Sequence, residues 1–160
     1  MRIHVAHTSL LPPHPGYNPI SELPTGFFDG LENIVIFDCI SCKLGPTLAA
    51  GSMEFPGAAL EHLHLEYDNI TFVEPGAITG LSAHAHLDLW GNEIEELREE
   101  SFRPILEDLS LGYGFIDLYD NPIQCVCSMA WIVLNPDFLA RVHGQCQNGP
   151  YFDELDPKTG

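Results

Sequence analysis

The sequence predicts an α/β fold of stacked repeats, with short parallel strands on one face and a separate C-terminal cap. Three observations predict it: a repeated apolar spacing, strict alternation at the centre of each repeat, and a cysteine cluster after the last one. Leu60, Leu63, Leu65, Asp68, Ile70 and Val73 recur as His84, Leu87, Leu89, Asn92, Ile94 and Leu97, a period of 24 residues from Leu60 to His84. The same frame fits Ile34, Phe37, Cys39, Cys42 and Leu44, and again Tyr113, Ile116, Leu118, Asn121 and Ile123. An incomplete first repeat is read at Ile3, Val5, Thr8 and Leu10. Five correlated repeats are a strong signal where one alone would be weak.

The spacing has a physical cause. Residues two apart on a strand point to the same side, so pairs such as Leu63 and Leu65 face a core while His62 and His64 face away. Short strands are expected near Ile3–Val5, Phe37–Cys39, Leu63–Leu65, Leu87–Leu89 and Ile116–Leu118, stacked in parallel along a concave face. A single repeat cannot bury its own apolar face, so neighbours must stack. The residue after the strand turns the chain, and an asparagine there bonds backbone groups with both its donors and its acceptor. Asn92 and Asn121 suit that position fully; Thr8, Cys42 and Asp68 suit it less. The later apolar positions, with Phe28 and Phe102, fill the core from the convex return, which should consist of turns or short helices. Leu11–Tyr17 carries three prolines and reads as an inserted loop.

Composition narrows the function. Apolar residues make up 45% of the 160-residue chain, enough for a globular core. Acidic residues outnumber basic ones 23 to 6, and such a surface repels phosphate backbones, so nucleic acid is not expected as a partner. A neutral or basic protein suits it better. No apolar run approaches the length of a membrane span. The opening Met1-Arg2-Ile3-His4 lacks the features of a signal peptide. The chain has no G-x-S-x-G, H-E-x-x-H or phosphate-cradling glycine loop, so no enzyme is expected. The paired carboxylates Glu95-Glu96 and Glu99-Glu100 fall on the return side and read as solvated.

The segment Asp120–Cys127, followed by Trp131 and Cys146, resembles the cysteine-rich C-terminal cap of extracellular leucine-rich-repeat proteins. Ser128 is placed to cap a short helix carrying Trp131, whose indole would cover the open end of the core. Such caps hold four cysteines, bridged first to third and second to fourth; three are present here. The resemblance implies a Cys125–Cys146 bridge with Cys127 unpaired, and Cys127–Cys146 remains the competing pair. It divides the chain into leucine-rich repeats over 1–123, about five with the first incomplete, and an incomplete cap over 124–160. The stretches CISCKLGPTL from Cys39, VEPGAITGL from Val73, LREESFRPIL from Leu97 and WIVLNPDFL from Trp131 resemble a group of secreted arthropod leucine-rich-repeat proteins. Many of these are named after the non-catalytic subunit of oplophorus-luciferin monooxygenase. That resemblance implies an extracellular protein without catalytic activity of its own. It does not imply light emission, because fold does not carry function.

The register also names a candidate surface. One outward column holds His4, Asp38, His64, Asp88 and Asp117; the next holds Arg2, Ile36, His62, His86 and Phe115. Glu66, Tyr67, Trp90 and Tyr119 flank them. Strands lie about 4.8 Å apart, which puts His64 between Asp38 and Asp88, neighbours that favour a charged imidazolium. The expected partner-binding residues are His62, His64, Tyr67, His86, Asp88, Trp90 and Tyr119. No metal or cofactor is expected, since a flat strand surface rarely lets ligands converge. Cys39 and Cys42 are expected as buried thiols behaving as small apolar residues. Asn69-Ile70-Thr71 is a glycosylation sequon whose Asn69 should face outward. The function expected is non-enzymatic extracellular protein binding through the concave face; the alternative is a structural, non-catalytic subunit that stabilises a secreted enzyme.

Overall fold

The computed structural model describes residues 23–156, together with the backbone of Arg2–Val5 and Thr8–Ser9. The inserted loop expected at Leu11–Tyr17 lies outside the described residues. In chain order the strands are β1 (Arg2–Val5), β2 (Thr8–Ser9), β3 (Ile34–Asp38), β4 (Thr47–Leu48), β5 (Met53–Glu54), β6 (Leu60–His64), β7 (Phe72–Val73), β8 (Ile78–Thr79), β9 (Leu81–Asp88), β10 (Phe115–Asp117) and β11 (Val142–His143). The helices are α1 (Glu99–Ser110), α2 (Ala130–Val133) and α3 (Pro136–Leu139).

The fold is mixed α/β around a parallel sheet. Strands β3, β6, β9, β10 and β11 pair in parallel, with Phe37 opposite Leu63, Leu63 opposite Leu87, Leu87 opposite Ile116, and Ile116 opposite Val142. Each of these residues points into the core, where Phe37, Leu63, Leu87 and Ile116 have no exposed surface. The chain returns behind them through small parallel pairs, β4 with β7 and β5 with β8. In the next repeat the return is α1 instead. Phe102, Ile105, Leu106 and Leu109 recur at helical spacing and are buried on one face. Glu99 and Glu100 lie in its first turn, where carboxylates complement the helix dipole. Ser101 Oγ donates to the carbonyl of Val73 at 2.6 Å and ties the helix to the preceding repeat.

Two asparagines close the turns after the strands. Asn92 Oδ1 accepts the N–H groups of Asp68 and Ile70, both at 3.0 Å, and its Nδ2 donates to the carbonyls of Leu65 and Leu89. Asn121 Oδ1 accepts from Ile94 N–H while its Nδ2 donates to Leu89 and Leu118. Each amide therefore bonds two successive repeats together.

Several expectations are corrected. The strand at Ile3–Val5 is antiparallel, not parallel: β1 pairs β3 with Arg2 opposite Asp38 and His4 opposite Ile36, which exchanges the two outward columns at that end. It also pairs β2 in an antiparallel hairpin. The edge of β3 that β1 meets can pair in either direction, and the short connection from β1 to β2 allows only an antiparallel hairpin. His84 and Tyr113 do not enter the core; both are exposed. Leu81 opposes Leu60 instead, and a register shift carries the ladder to His62 opposite His86. The rings of His84 and Tyr113 stack outside at 5.3 Å, and His84 Nδ1 accepts the N–H of Tyr113. Gly112 and Gly114 permit this: a Cβ on either would fall 2.5 Å from the carbonyl oxygen of Ala83 and 2.4 Å from Leu109 Cδ2 respectively.

Cys39 and Cys42 are bridged rather than free. The left-handed backbone of Ser41, φ 57°, lies between the two cysteines and turns the chain so that their Cα atoms are 5.5 Å apart. In the cap, Ser128 does not cap a helix; it lies inside a short turn, Cys127–Met129, whose first N–H groups have no side-chain acceptor. Asn135 caps α3, accepting from Asp137 and Phe138. Cys125 is joined to Cys146 at 2.03 Å, and Cys127 is exposed and unpaired. Trp131 packs edge-on against Phe138, under the guanidinium of Arg103, and donates to the carbonyl of Leu97 at 3.2 Å.

Candidate functional site

Alternation on the parallel strands gives the outward face two rows. One runs Asp38, His64, Asp88, Asp117 and His143, each opposite the next across the ladder. The other runs Ile36, His62, His86 and Phe115. The rows are rich in rings. His62 and His64 are parallel at 5.9 Å, His86 stacks on Phe115 at 4.3 Å, and Phe115 stacks on His143 at 4.7 Å.

Of the sequence-derived site residues, His62, His64, His86 and Asp88 form one cluster. His64 Nδ1 lies 3.2 Å from Glu66 Oε1 and 4.0 Å from Asp88 Oδ2, and His86 Nε2 lies 4.0 Å from the same oxygen. Asp88 points outward by register yet is buried, because Glu66 and the two imidazoles close over it. Its Oδ1 accepts the N–H of Trp90 at 3.0 Å, and Asp117 Oδ1 accepts that of Tyr119 at 3.2 Å. These bonds turn the chain at the strand ends and set the aromatics along one edge. Trp90 and Tyr119 have ring centroids 5.8 Å apart, and Tyr119 meets Tyr151 at 6.2 Å. Tyr67 lies over Gly91, where a Cβ would fall 2.3 Å from its ring; Gly91 has φ 68°. Tyr67 and Trp90 are exposed at 52% and 41%.

The electrostatics follow from burial. Glu66 is pushed up to about 7, first by burial and then by the neighbouring Asp88 carboxylate, against its own hydrogen bonds and His64. Asp117 is also raised, by burial first. His86 is lowered by burial, which outweighs Asp88 and Asp117. The face therefore resists charging its inner groups in either sign.

Reasoning from the repeat frame missed His143 and Tyr151. Both come from the C-terminal segment, where β11 extends the sheet and the isolated pairing of Gln145 with Tyr151 folds the chain back. The frame stops at Ile123, so no spacing in the sequence pointed to them. The alternation at Val142 and His143 was the available signal, too short to read alone.

No family model matches the chain. The chain is similar to a protein of Oplophorus gracilirostris named oplophorus-luciferin 2-monooxygenase non-catalytic subunit, with 30% identity over 170 aligned positions covering 88% of this chain. The alignment spans 45% of that relative's length. The resemblance read from the residues thus has a counterpart in a named protein. Among solved structures, the fold is similar to a chain in the crystal structure of the mouse RP105/MD-1 complex. The TM-score is 0.39 with 16% identity, over 84% of this chain and 35% of that one.

Proposed function

We propose that this protein is a non-enzymatic, extracellular protein-binding module of the leucine-rich-repeat type that recognises its partner through the concave sheet face. The observation that carries the reading is the edge formed by Tyr67, Trp90 and Tyr119 beside the histidine cluster. Large rings held by neighbours supply contact area at low entropic cost, and such residues dominate many interfaces. The supports for the solenoid are the parallel ladder from β3 to β11 and the asparagine amides that bond successive repeats. Solenoids offer their concave surfaces to partners. The relative's name, a non-catalytic subunit, supports a role without catalysis. The two disulfides favour an oxidising compartment, and among the described residues no helix is long and apolar enough to cross a membrane. A net charge of −17 favours a basic partner surface.

A second reading keeps the same fold and gives it the role of a structural subunit that stabilises a secreted enzyme by contact; the relative's name favours it. One experiment separates the two. Partners are captured from extracellular fluid with the wild-type chain, identified by mass spectrometry, and their affinities measured against Trp90→Ala/Tyr119→Ala. Concave recognition predicts a loss of roughly 1–4 kcal/mol with the fold retained. An unchanged affinity moves the contact off this face and favours the structural-subunit reading.

A further inference from the structure

Three donor atoms, from β6, from the turn that follows it and from β9, converge on the concave face. His64 Nδ1, Glu66 Oε1 and Asp88 Oδ2 belong to a group whose ligand atoms all lie within 4.8 Å of one another. A zinc ion with bonds of about 2.0–2.2 Å holds its ligands roughly 3.3–3.6 Å apart in tetrahedral geometry. The observed spacing of 3.2 Å for one pair and 4.0 Å for another brackets that value. Flat strands rarely achieve this, and the exception here is local. Glu66 lies beyond the end of β6 on the same side as His64, and the left-handed turn at Tyr67, φ 56°, curls the chain back there.

The cluster also holds atoms that want a partner. Glu66 Oε2 and His86 Nε2 are both sealed from solvent and make no hydrogen bond. Buried polar atoms in that state are costly, and a cation would satisfy them. No lysine or arginine does so among the described residues: the arginine ion pairs there are Arg98 with Glu96 and Arg103 with Glu99, away from the sheet.

We propose that His64, Glu66 and Asp88 form a zinc site on the concave face, with His86 as the next donor. An imidazole joined to carboxylates suits zinc; calcium and magnesium take oxygen ligands. Asp88 is positioned for the role by its bond to Trp90 N–H, which leaves Oδ2 facing the histidines. This inference is independent of whether the face binds a protein.

The test is titration calorimetry with zinc chloride and calcium chloride on the wild type, Cys127→Ser, His64→Ala and Glu66→Gln. The serine variant removes the exposed thiol, a competing zinc ligand. Glu66→Gln keeps the side-chain volume, so its fold is retained even if His64→Ala disturbs the sheet; circular dichroism checks both. The expected result is one zinc per chain, retained in Cys127→Ser and weakened at least about tenfold in Glu66→Gln and His64→Ala. Calcium should give no binding in the same range. The proposal is overturned by the absence of zinc binding at concentrations on the order of 100 μM, by loss of binding in Cys127→Ser, or by unaltered affinity in Glu66→Gln.

Discussion

The side-chain amide of Asn92 holds the backbone N–H of Asp68 at 3.0 Å, in the repeat before its own. The two residues occupy equivalent positions, and only one of them can both accept and donate when neutral pH leaves the carboxyl ionised. Asp68 Oδ1 accepts the N–H of Lys43 at 2.8 Å, but Oδ2 is buried without a partner. Asn92 uses its second atom to donate to Leu65 and Leu89.

Replacing Asn92 by alanine should therefore be among the most destabilising changes in the chain. It orphans the N–H groups of Asp68 and Ile70 and the carbonyl of Leu65, while the carbonyl of Leu89 keeps its bond from Asn121, and each buried group so stranded costs about 1–3 kcal/mol. A loss of roughly 3 kcal/mol or more in urea unfolding is expected. A loss below about 1 kcal/mol would show that water replaces the amide.

Asp68→Asn should do the opposite, and in a pH-dependent way. Burial, against three backbone N–H donors, raises Asp68 from 3.8 to about 6. The native state thus holds a proton that the unfolded state has already released between those values. Its stability falls as pH rises through that window and stays low above it. Asparagine removes the dependence and can donate as Asn92 does. The variant should be more stable than wild type by about 1–3 kcal/mol at pH 7.5, with the advantage vanishing below pH 4. Equal stability at both pH values would count against this account.

Cys127 should be the one thiol that reacts without unfolding. Cys39 is bridged to Cys42, and Cys125 to Cys146. Iodoacetamide under native conditions should add one label per chain, located at Cys127 by peptide mapping. Labelling at Cys125 instead would mean that Cys127 takes its place in the bridge to Cys146.

Asn69 is exposed with φ 58°, while Asp68 before it and Ile70 after it are buried. The sequon residue thus faces solvent rather than filling the turn. Expression through a secretory host should add a glycan that Asn69→Gln abolishes, read by intact mass. An unmodified wild-type chain would refute occupancy.

Truncating Trp131 tests the cap. Its ring covers Phe138 and bonds the carbonyl of Leu97, so Trp131→Ala should cost roughly 3 kcal/mol or more. Thermal unfolding measures it, and a change under about 1 kcal/mol would mean that the core end is closed by other residues.

By itself the sequence determined what repeats. The Leu63–Leu65 and Leu87–Leu89 alternation, the asparagines at 92 and 121 and the outward histidines all follow from a period-two strand and a turn that needs an amide, which are local requirements. Tertiary structure decided what depends on neighbours. The direction of β1 is set by which edge it meets, since an isolated strand pairs either way. His84 and Tyr113 occupy core positions of the frame, but a register shift and two glycines place them outside, stacked on each other. The Cys39–Cys42 bridge goes with a left-handed turn at Ser41 that spacing does not reveal. The convergence of His64, Glu66 and Asp88 needs a second strand and the bend after the first. A one-dimensional pattern specifies which side a residue faces, and only packing specifies how far its end lies from its neighbour's.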